Sequence, residues 1–269
     1  APTWTCAPYQ VGHRPGRGED VAWGESNAVA FCNSVLGART NRNGDFLDIS
    51  AALTGRAPYY GLHVAENRLA TVVVETDGIS VRLKAEDAFY PVLGAWLGAE
   101  VAGAVAVFDG LPADMPEDRL KALGAGAAST GAVGLFHVAG VTPEAPTLEA
   151  ALGGQVAELR IELTPEMVRR VRDSLSTAPD GPVDALAVGS PHYSVTEFDT
   201  LLDRLAGRRV SRPFYACTNR QVLTDLEASG ALASIEAAGI EIITDTCIVV
   251  TPILPAGGEK DTALSSRFW

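Results

Sequence analysis

Four cysteines stand at Cys6, Cys32, Cys217 and Cys247, and a thiolate is the softest metal ligand a protein offers. They are not equivalent. Cys32 recurs at helical spacing with Ala28, Phe31, Val35 and Leu36, so it belongs to an apolar stripe and reads as a buried thiol acting as a small hydrophobe. The other three sit in loop contexts. Cys6 precedes Pro8, Cys217 follows Phe214-Tyr215-Ala216, and Cys247 follows Ile242-Ile243 through Thr244-Asp245-Thr246. Open α/β sheets bind ligands beyond the carboxyl ends of their strands. Two cysteines leaving neighbouring strands there could meet, and a third could reach them from a loop. Their spacings match no local metal motif, so the residues alone leave open whether these thiols converge or are buried singly.

A second polar cluster is Ala38-Arg39-Thr40-Asn41-Arg42-Asn43-Gly44, directly after the helix-stopping Gly37. Two guanidinium groups and two amides in one loop suit bidentate reading of a small carboxylate, while Asn43-Gly44 equally marks a solvated turn. Asn219-Arg220 repeats the pairing beside Cys217. His13, His63, His137 and His192 lack the i, i+4 spacing of a zinc helix, and His137 lies in an apolar run expected to be core. There is no phosphate loop and no nucleophile elbow, and Gly124-Ala125-Gly126 opens no dinucleotide fingerprint because Ser129 stands where its last glycine belongs. Those glycines are expected to serve packing.

The elements that must carry these residues alternate. Ser26 caps a helix to Leu36, and a second helix follows Asp45 with Phe46, Ile49, Ala52 and Leu53 expected to face inward. Strands are expected over Leu69–Glu75, Val105–Phe108 and Ala132–Val138, with helices over Asp87–Val101 and Glu117–Ser129. Ala157–Leu163 alternates as an exposed edge strand would, and Thr164-Pro165-Glu166 starts a helix. Beyond it, strands at Val183–Val188, Pro213–Ala216 and Ile240–Ile243 enclose helices at Val195–Ala206, Gln221–Ser229 and Leu232–Ala238. This alternation implies parallel or mixed sheets flanked by helices, an α/β chain of two coupled lobes. The Gly/Pro-rich stretch Gly140–Gly154 is the expected boundary, dividing a lobe of residues 1–145 with the Arg/Asn loop from a lobe of residues 155–255 with Cys217 and Cys247, before a tail at 256–269.

Composition narrows the partners. With a net charge of −12, the chain is no general binder of nucleic-acid phosphates or anionic membrane surfaces. No apolar run is long enough to span a bilayer. At 47% hydrophobic over 269 residues the core needs no disulfide staples, so reduced thiols in a cytoplasmic protein are expected. Both ends read as those of a piece of something larger.

The strings Glu25-Ser26-Asn27-Ala28-Val29, Asn33 through Arg42, Ala51-Ala52-Leu53-Thr54-Gly55-Arg56 and Gly61-Leu62-His63 closely resemble the signature of the aconitase X family. Thr5-Cys6-Ala7-Pro8-Tyr9, Phe136 through Ala145, Pro191-His192, Cys217-Thr218-Asn219-Arg220 and Asp245-Thr246-Cys247 continue the match. The resemblance implies an aconitase-like fold and an iron–sulfur hydro-lyase that dehydrates a small hydroxy acid, cis-3-hydroxy-L-proline or a phosphorylated mevalonate. It implies Cys6, Cys217 and Cys247 as ligands of a [2Fe-2S] or [4Fe-4S] cluster with one open iron, and Cys32 falls where the family string calls for no cysteine. Arg39, Arg42 and Arg220 would hold the substrate carboxylate, with Ser26, Asn27, Thr40 and Asn41 orienting it and His63 and His192 in polar contact with cluster or substrate. The catalytic base is expected on a small swivelling domain or subunit, a partner outside these residues. A phosphorylated substrate would call on Arg14 and Arg17. An incomplete iron-binding module and a metal-free binding protein are the competing readings.

Overall fold

A computed structural model describes residues 4–101, 103–177, 181–248 and 250–252, so the expected tail at 256–269 lies outside the described residues. The chain forms two compact units. One runs from Arg14 to Ser174, and the other joins the segment ending at His13 to the chain from Leu175 onward. The division therefore falls at Ser174–Leu175. The Gly140–Gly154 stretch, expected as the boundary, runs inside the first unit, because the strand beyond it returns to the same sheet.

In the first unit, α1 (Ser26–Phe31) passes into a π-helical turn at Cys32–Leu36, stopped by Gly37 at φ 66°. There follow α2 (Asp45–Thr54), β1 (Val72–Glu75), α3 (Val81–Lys84), α4 (Phe89–Val101), β2 (Ala106–Asp109), α5 (Glu117–Gly131), β3 (Phe136–Val138), α6 (Leu148–Ala151), β4 (Leu159–Glu162) and α7 (Pro165–Ser174). The sheet order is β3-β2-β1-β4, and every pairing is parallel. Strands covered on both faces read as continuous apolar runs, which explains Val72-Val73-Val74. β4 sits at the edge of the sheet, as expected, with Leu159 half-open to solvent.

Helix α4 is apolar on all sides and almost wholly buried, with Tyr90, Leu93, Trp96 and Leu97 in the core. It lies directly against α5. Glycines make that approach possible. A Cβ at Gly94 would collide with the carbonyl of Leu123, one at Gly126 with that of Pro91, and one at Gly131 with that of Gly98. Gly126 and Gly131 of α5 thus serve backbone-to-backbone packing, while Gly124 faces the side chains of Ala30 and Phe136.

Helix α2 departs from expectation. Phe46 is 87% exposed and Leu53 82% exposed, Ile49 and Ala52 are also exposed, and only Ala51 is buried. The polar side of the helix is the anchored one: Asp48 Oδ1 accepts from Asn43 Nδ2 at 3.3 Å, and Asp48 fits against the bare backbone of Gly24. The apolar stripe is real, but it faces outward.

The second unit contains β5 (Leu186–Val188), α8 (Val195–Leu205), β6 (Phe214–Thr218), α9 (Arg220–Ser229), α10 (Ala231–Ala237) and β7 (Ile240–Thr244). Its parallel sheet has the order β5-β6-β7. Both sheets are therefore parallel among the described residues, with no mixed pairing. Phe198, Phe214, Ala216, Val222, Leu226, Ile235 and Ile240 form its core. A capping box between Ser194 and Glu197 starts α8, and Asn219 caps α9 through Val222 N–H at 2.9 Å.

Replacing Gly94 with alanine should lower stability by about 1–3 kcal/mol through overpacking of α4 on α5. Gly44→Ala, with nothing within 4 Å of the added methyl, should change it by less than about 1 kcal/mol. Urea midpoints of the two variants check the contrast.

Candidate metal and substrate site

Parallel pairing of β6 with β7 sets Cys217 opposite Ile243 and Thr218 opposite Thr244. Asp245 N–H extends the ladder by one bond to Thr218 O at 2.9 Å. Cys217 is therefore the penultimate residue of its strand, and Cys247 leaves the neighbouring strand at the same carboxyl end. Cys247 is close enough for its charge to disfavour ionisation of Cys217. Burial pushes the Cys217 thiol up first, Ile248 N–H pulls it down, and Cys247 adds to the rise.

The third cysteine is tied in by the His192–Tyr193 dipeptide. His192 N–H donates to Cys6 Sγ at 3.3 Å, and Tyr193 N–H donates to Cys217 O at 2.9 Å. His192 Nε2 meets Thr246 O at 3.0 Å and Nδ1 meets Thr5 Oγ1 at 2.9 Å. Thr218 Oγ1 donates to Tyr193 O at 2.6 Å. Gln10 Nε2 donates to His192 O at 3.1 Å and its Oε1 accepts from Asn219, the α9 cap. Gly189 at φ 101° lets the loop lie on the Cys217 backbone, where a side chain would strike the carbonyl. All of these residues belong to the second unit.

All four cysteines are free thiols. Cys6 and Cys247 are half-buried and Cys217 is buried beside them, a thiol set that suits a thiophilic metal, with N–H donors already aimed at two of the sulfurs. Among the described residues, no three His, Cys, Asp or Glu side chains stand ready in a metal-holding arrangement. The fit is thus one of donor chemistry and of segments held together. Cys32 stands apart in the first unit, fully buried, its pKa pushed up to about 12 by burial despite the opposing charge of Arg68.

The Arg/Asn loop lies in the first unit, and most of its polar atoms are turned to the protein itself. Asn41 donates to Tyr60 O at 2.9 Å and accepts from Leu62 N–H at 2.7 Å. Thr40 Oγ1 accepts from Trp23 N–H at 3.1 Å. Arg39 donates one guanidinium N–H to His63 O at 3.0 Å and keeps its buried Nε without a hydrogen-bond partner. His63 Nδ1 meets Asp20 Oδ1 at 2.6 Å. Ser26 and Asn27 engage the Glu25 carboxyl, which also accepts from Ala28 N–H at 2.7 Å. That carboxyl end is turned in although the residue as a whole is exposed, and burial lifts its pKa against the pull of these donors. Arg42 is exposed. Arg220, in the second unit, is ion-paired with Asp245.

Sequence reasoning passed over the residue that supports this loop. Arg68, 3% exposed, donates to Asn33 Oδ1, Leu62 O and Ala38 O at 2.8–3.0 Å and pairs with Glu144. Asn33 in turn fixes Thr40 through its peptide N–H and C=O. His137 is a core residue, as expected: its Nε2 meets Arg68 O at 2.8 Å, and burial holds its pKa down. One signal for the sulfur set was available. Thr5, Thr218 and Thr246 each adjoin one of the three grouped cysteines, whereas Cys32 has Phe31 and Asn33 as neighbours.

Family models for the aconitase X first, second and third domains match residues 1–66, 70–173 and 183–267. The chain belongs to the aconitase X family. It is 41% identical to a cis-3-hydroxy-L-proline dehydratase of Pseudomonas aeruginosa, over 99% of this chain and 46% of that protein. It is 34% identical to a phosphomevalonate dehydratase large subunit of Methanocaldococcus jannaschii, over 98% of this chain and 65% of that one. The crystal structure of Thermococcus kodakaraensis aconitase X in its holo form superposes with a TM-score of 0.84 at 35% identity, covering 94% of this chain and 63% of that chain. The chain thus spans about half the length of the hydroxyproline relative. Among the described residues, no helix is long and apolar enough to cross a membrane.

Because raised thiol pKa values leave less thiolate, alkylation at pH 8 should modify Cys6 and Cys247 first, Cys217 more slowly and Cys32 last in the native chain. Peptide mass spectrometry over a time course measures that order.

Proposed function

We propose that the chain is the metal-binding part of an iron–sulfur hydro-lyase acting on a small hydroxy acid, cis-3-hydroxy-L-proline, with Cys6, Cys217 and Cys247 as the protein ligands. One observation carries the reading: a single dipeptide, His192–Tyr193, hydrogen-bonds to all three cysteine-bearing segments. When bound, the iron centre supplies a Lewis acid for the departing hydroxyl, and three protein thiolates leave one iron position open. Free thiols suit a reducing compartment, in keeping with a cytoplasmic enzyme.

Dehydration must also draw a weakly acidic proton from beside a carboxylate. Arg42 suits that need, since its exposed guanidinium can take the carboxylate bidentately and stabilise negative charge building next to it. Arg39 supports it with a buried Nε that has no hydrogen-bond partner, a donor whose desolvation a bound anion would offset. Asn41, Thr40 and His63 act by fixing the loop, given how their polar atoms are used. Loss of that proton and of hydroxide from the adjacent carbon of hydroxyproline, together one water, gives an enamine, which tautomerises to the cyclic imine acid. The substrate choice is supported by identity to the hydroxyproline relatives, 41% and 40% against 34% for the large subunit above. It is supported also by Arg14, a group a phosphate would call on, which is already paired with Glu117 at 2.7 Å.

The proton-abstracting serine belongs, on this reading, to a small swivelling domain or subunit. The outward stripe of Phe46, Ile49 and Leu53 on α2 directly follows the Arg/Asn loop and offers that partner an apolar face.

After anaerobic reconstitution, Cys217→Ser should lose the visible absorbance and acid-labile sulfide of the cluster, while Cys32→Ala keeps both. A Cys217→Ser chain with an unchanged spectrum would rule the ligand set out. With the part of the Pseudomonas relative that lies outside the 46% matched by this chain added, Arg42→Ala should lower kcat/KM for the hydroxy acid by roughly 10²-fold, as expected for losing charge-assisted hydrogen bonds worth about 1.5–3 kcal/mol. An Arg42→Ala assembly as active as the parent would remove Arg42 from the site.

A further inference from the structure

We infer that His192 is the positioning residue of the sulfur set: it holds the three cysteine segments in place and is not itself a metal ligand. This rests on the ligand assignment above. Both ring nitrogens are committed. Thr246 O can only accept, so Nε2 carries the proton donated there. Thr5 Oγ1 already accepts Ala7 N–H at 3.0 Å, which frees its own hydrogen for Nδ1 at 2.9 Å. The neutral ring so fixed has no lone pair left for a metal, and it is only 2% exposed.

What the ring joins is specific. Thr5 precedes Cys6 and Thr246 precedes Cys247, so the imidazole bridges the residues immediately before two of the cysteines, through the Thr5 hydroxyl and the Thr246 carbonyl. Its own peptide N–H reaches Cys6 Sγ, and the next peptide grips the third pair, receiving Thr218 Oγ1 at Tyr193 O and donating to Cys217 O. Each Cys-Thr pair therefore contributes one contact made by its threonine and bears one cysteine. Holding Cys6 this way is needed because it arrives from a remote part of the chain. Cys217 and Cys247, by contrast, are brought together by strand pairing.

The test uses the whole chain with three variants. His192→Gln cannot bridge Thr5 and Thr246 at once, Thr5→Val removes one hydroxyl at nearly constant volume, and Thr5→Ser restores it. In metal-free protein, His192→Gln should speed alkylation of Cys6 and Cys247 together by about tenfold or more, with Cys32 unchanged and the far-ultraviolet circular dichroism retained. Thr5→Val should speed Cys6, and Thr5→Ser should match the parent. In anaerobic iron titration, His192→Gln and Thr5→Val should bind iron about 10–100-fold more weakly, the range for partners that orient metal ligands. If His192→Gln does not fold, Thr5→Val against Thr5→Ser decides. Parent-like alkylation and iron affinity in these variants would overturn the role of His192. An iron affinity unchanged by Cys217→Ser would instead overturn the ligand assignment, and the alkylation comparison would still decide whether His192 holds the segments.

Discussion

The register of β6 against β7 is the constraint on which the sulfur site depends. Parallel neighbours present the same end of the sheet to the same side, so a cysteine one residue before the end of β6 and another three residues beyond β7 must emerge together. No sequence-local motif is needed when strand pairing does the bringing together. Sliding β7 by one residue would turn alternate side chains to the opposite face and separate the two thiols. The apolar core of Phe214, Ala216 and Ile240, packed against Phe198, Leu226 and Ile235, holds that register, so the chemistry at the end of the sheet rests on hydrophobic burial at its middle.

Polar residues at the rim then have to satisfy one another, because unpaired groups near a buried sulfur are costly. In the second unit His192, Gln10, Asn219 and the three threonines form one connected network. In the first unit Arg68 plays the corresponding part. It meets Glu144 and the carbonyls of Leu62 and Ala38, and Asn33 passes that order on to Thr40. A buried guanidinium with all its donors used fixes a loop more firmly than the turn signal of Asn43-Gly44 alone could.

Much of the fold was legible because strands such as β1 and β7 are short β-branched runs and several helices have their stop or cap in sequence: Gly37, Gly55, Asn219, the Ser194–Glu197 box. The π-helical turn at Cys32–Leu36 was not legible, since it changes no residue type. The unit boundary was misread because glycine and proline mark turns as readily as boundaries, and only strand pairing shows that β4 rejoins β1. The direction of α2 failed for a related reason. Periodicity tells that Phe46, Ile49 and Leu53 share a face, but not which way the helix is rolled, and Asp48 against Gly24 rolls it outward. At the site, residue types single out the loops, whereas the part each side chain plays within them depends on partners such as Arg68 and Asp20, which adjoin neither Arg39 nor His63 in sequence.

The four thiols show how environment divides one residue type among tasks. Cys32 is fully buried, and burial outweighs the nearby Arg68 charge, so that a pKa of about 12 leaves the thiol protonated at neutral pH. Cys217 is also buried, yet it has an N–H donor from Ile248 and a second thiol beside it, and Cys6 has the His192 N–H. Donors of this kind favour the charged form of sulfur, and a bound cation would favour it further. The charge of Cys247 disfavours ionisation of Cys217 in the bare protein, so the same proximity favours the arrival of a metal that neutralises the pair. Cys32 has no such neighbour, and the same physics keeps it a packing residue.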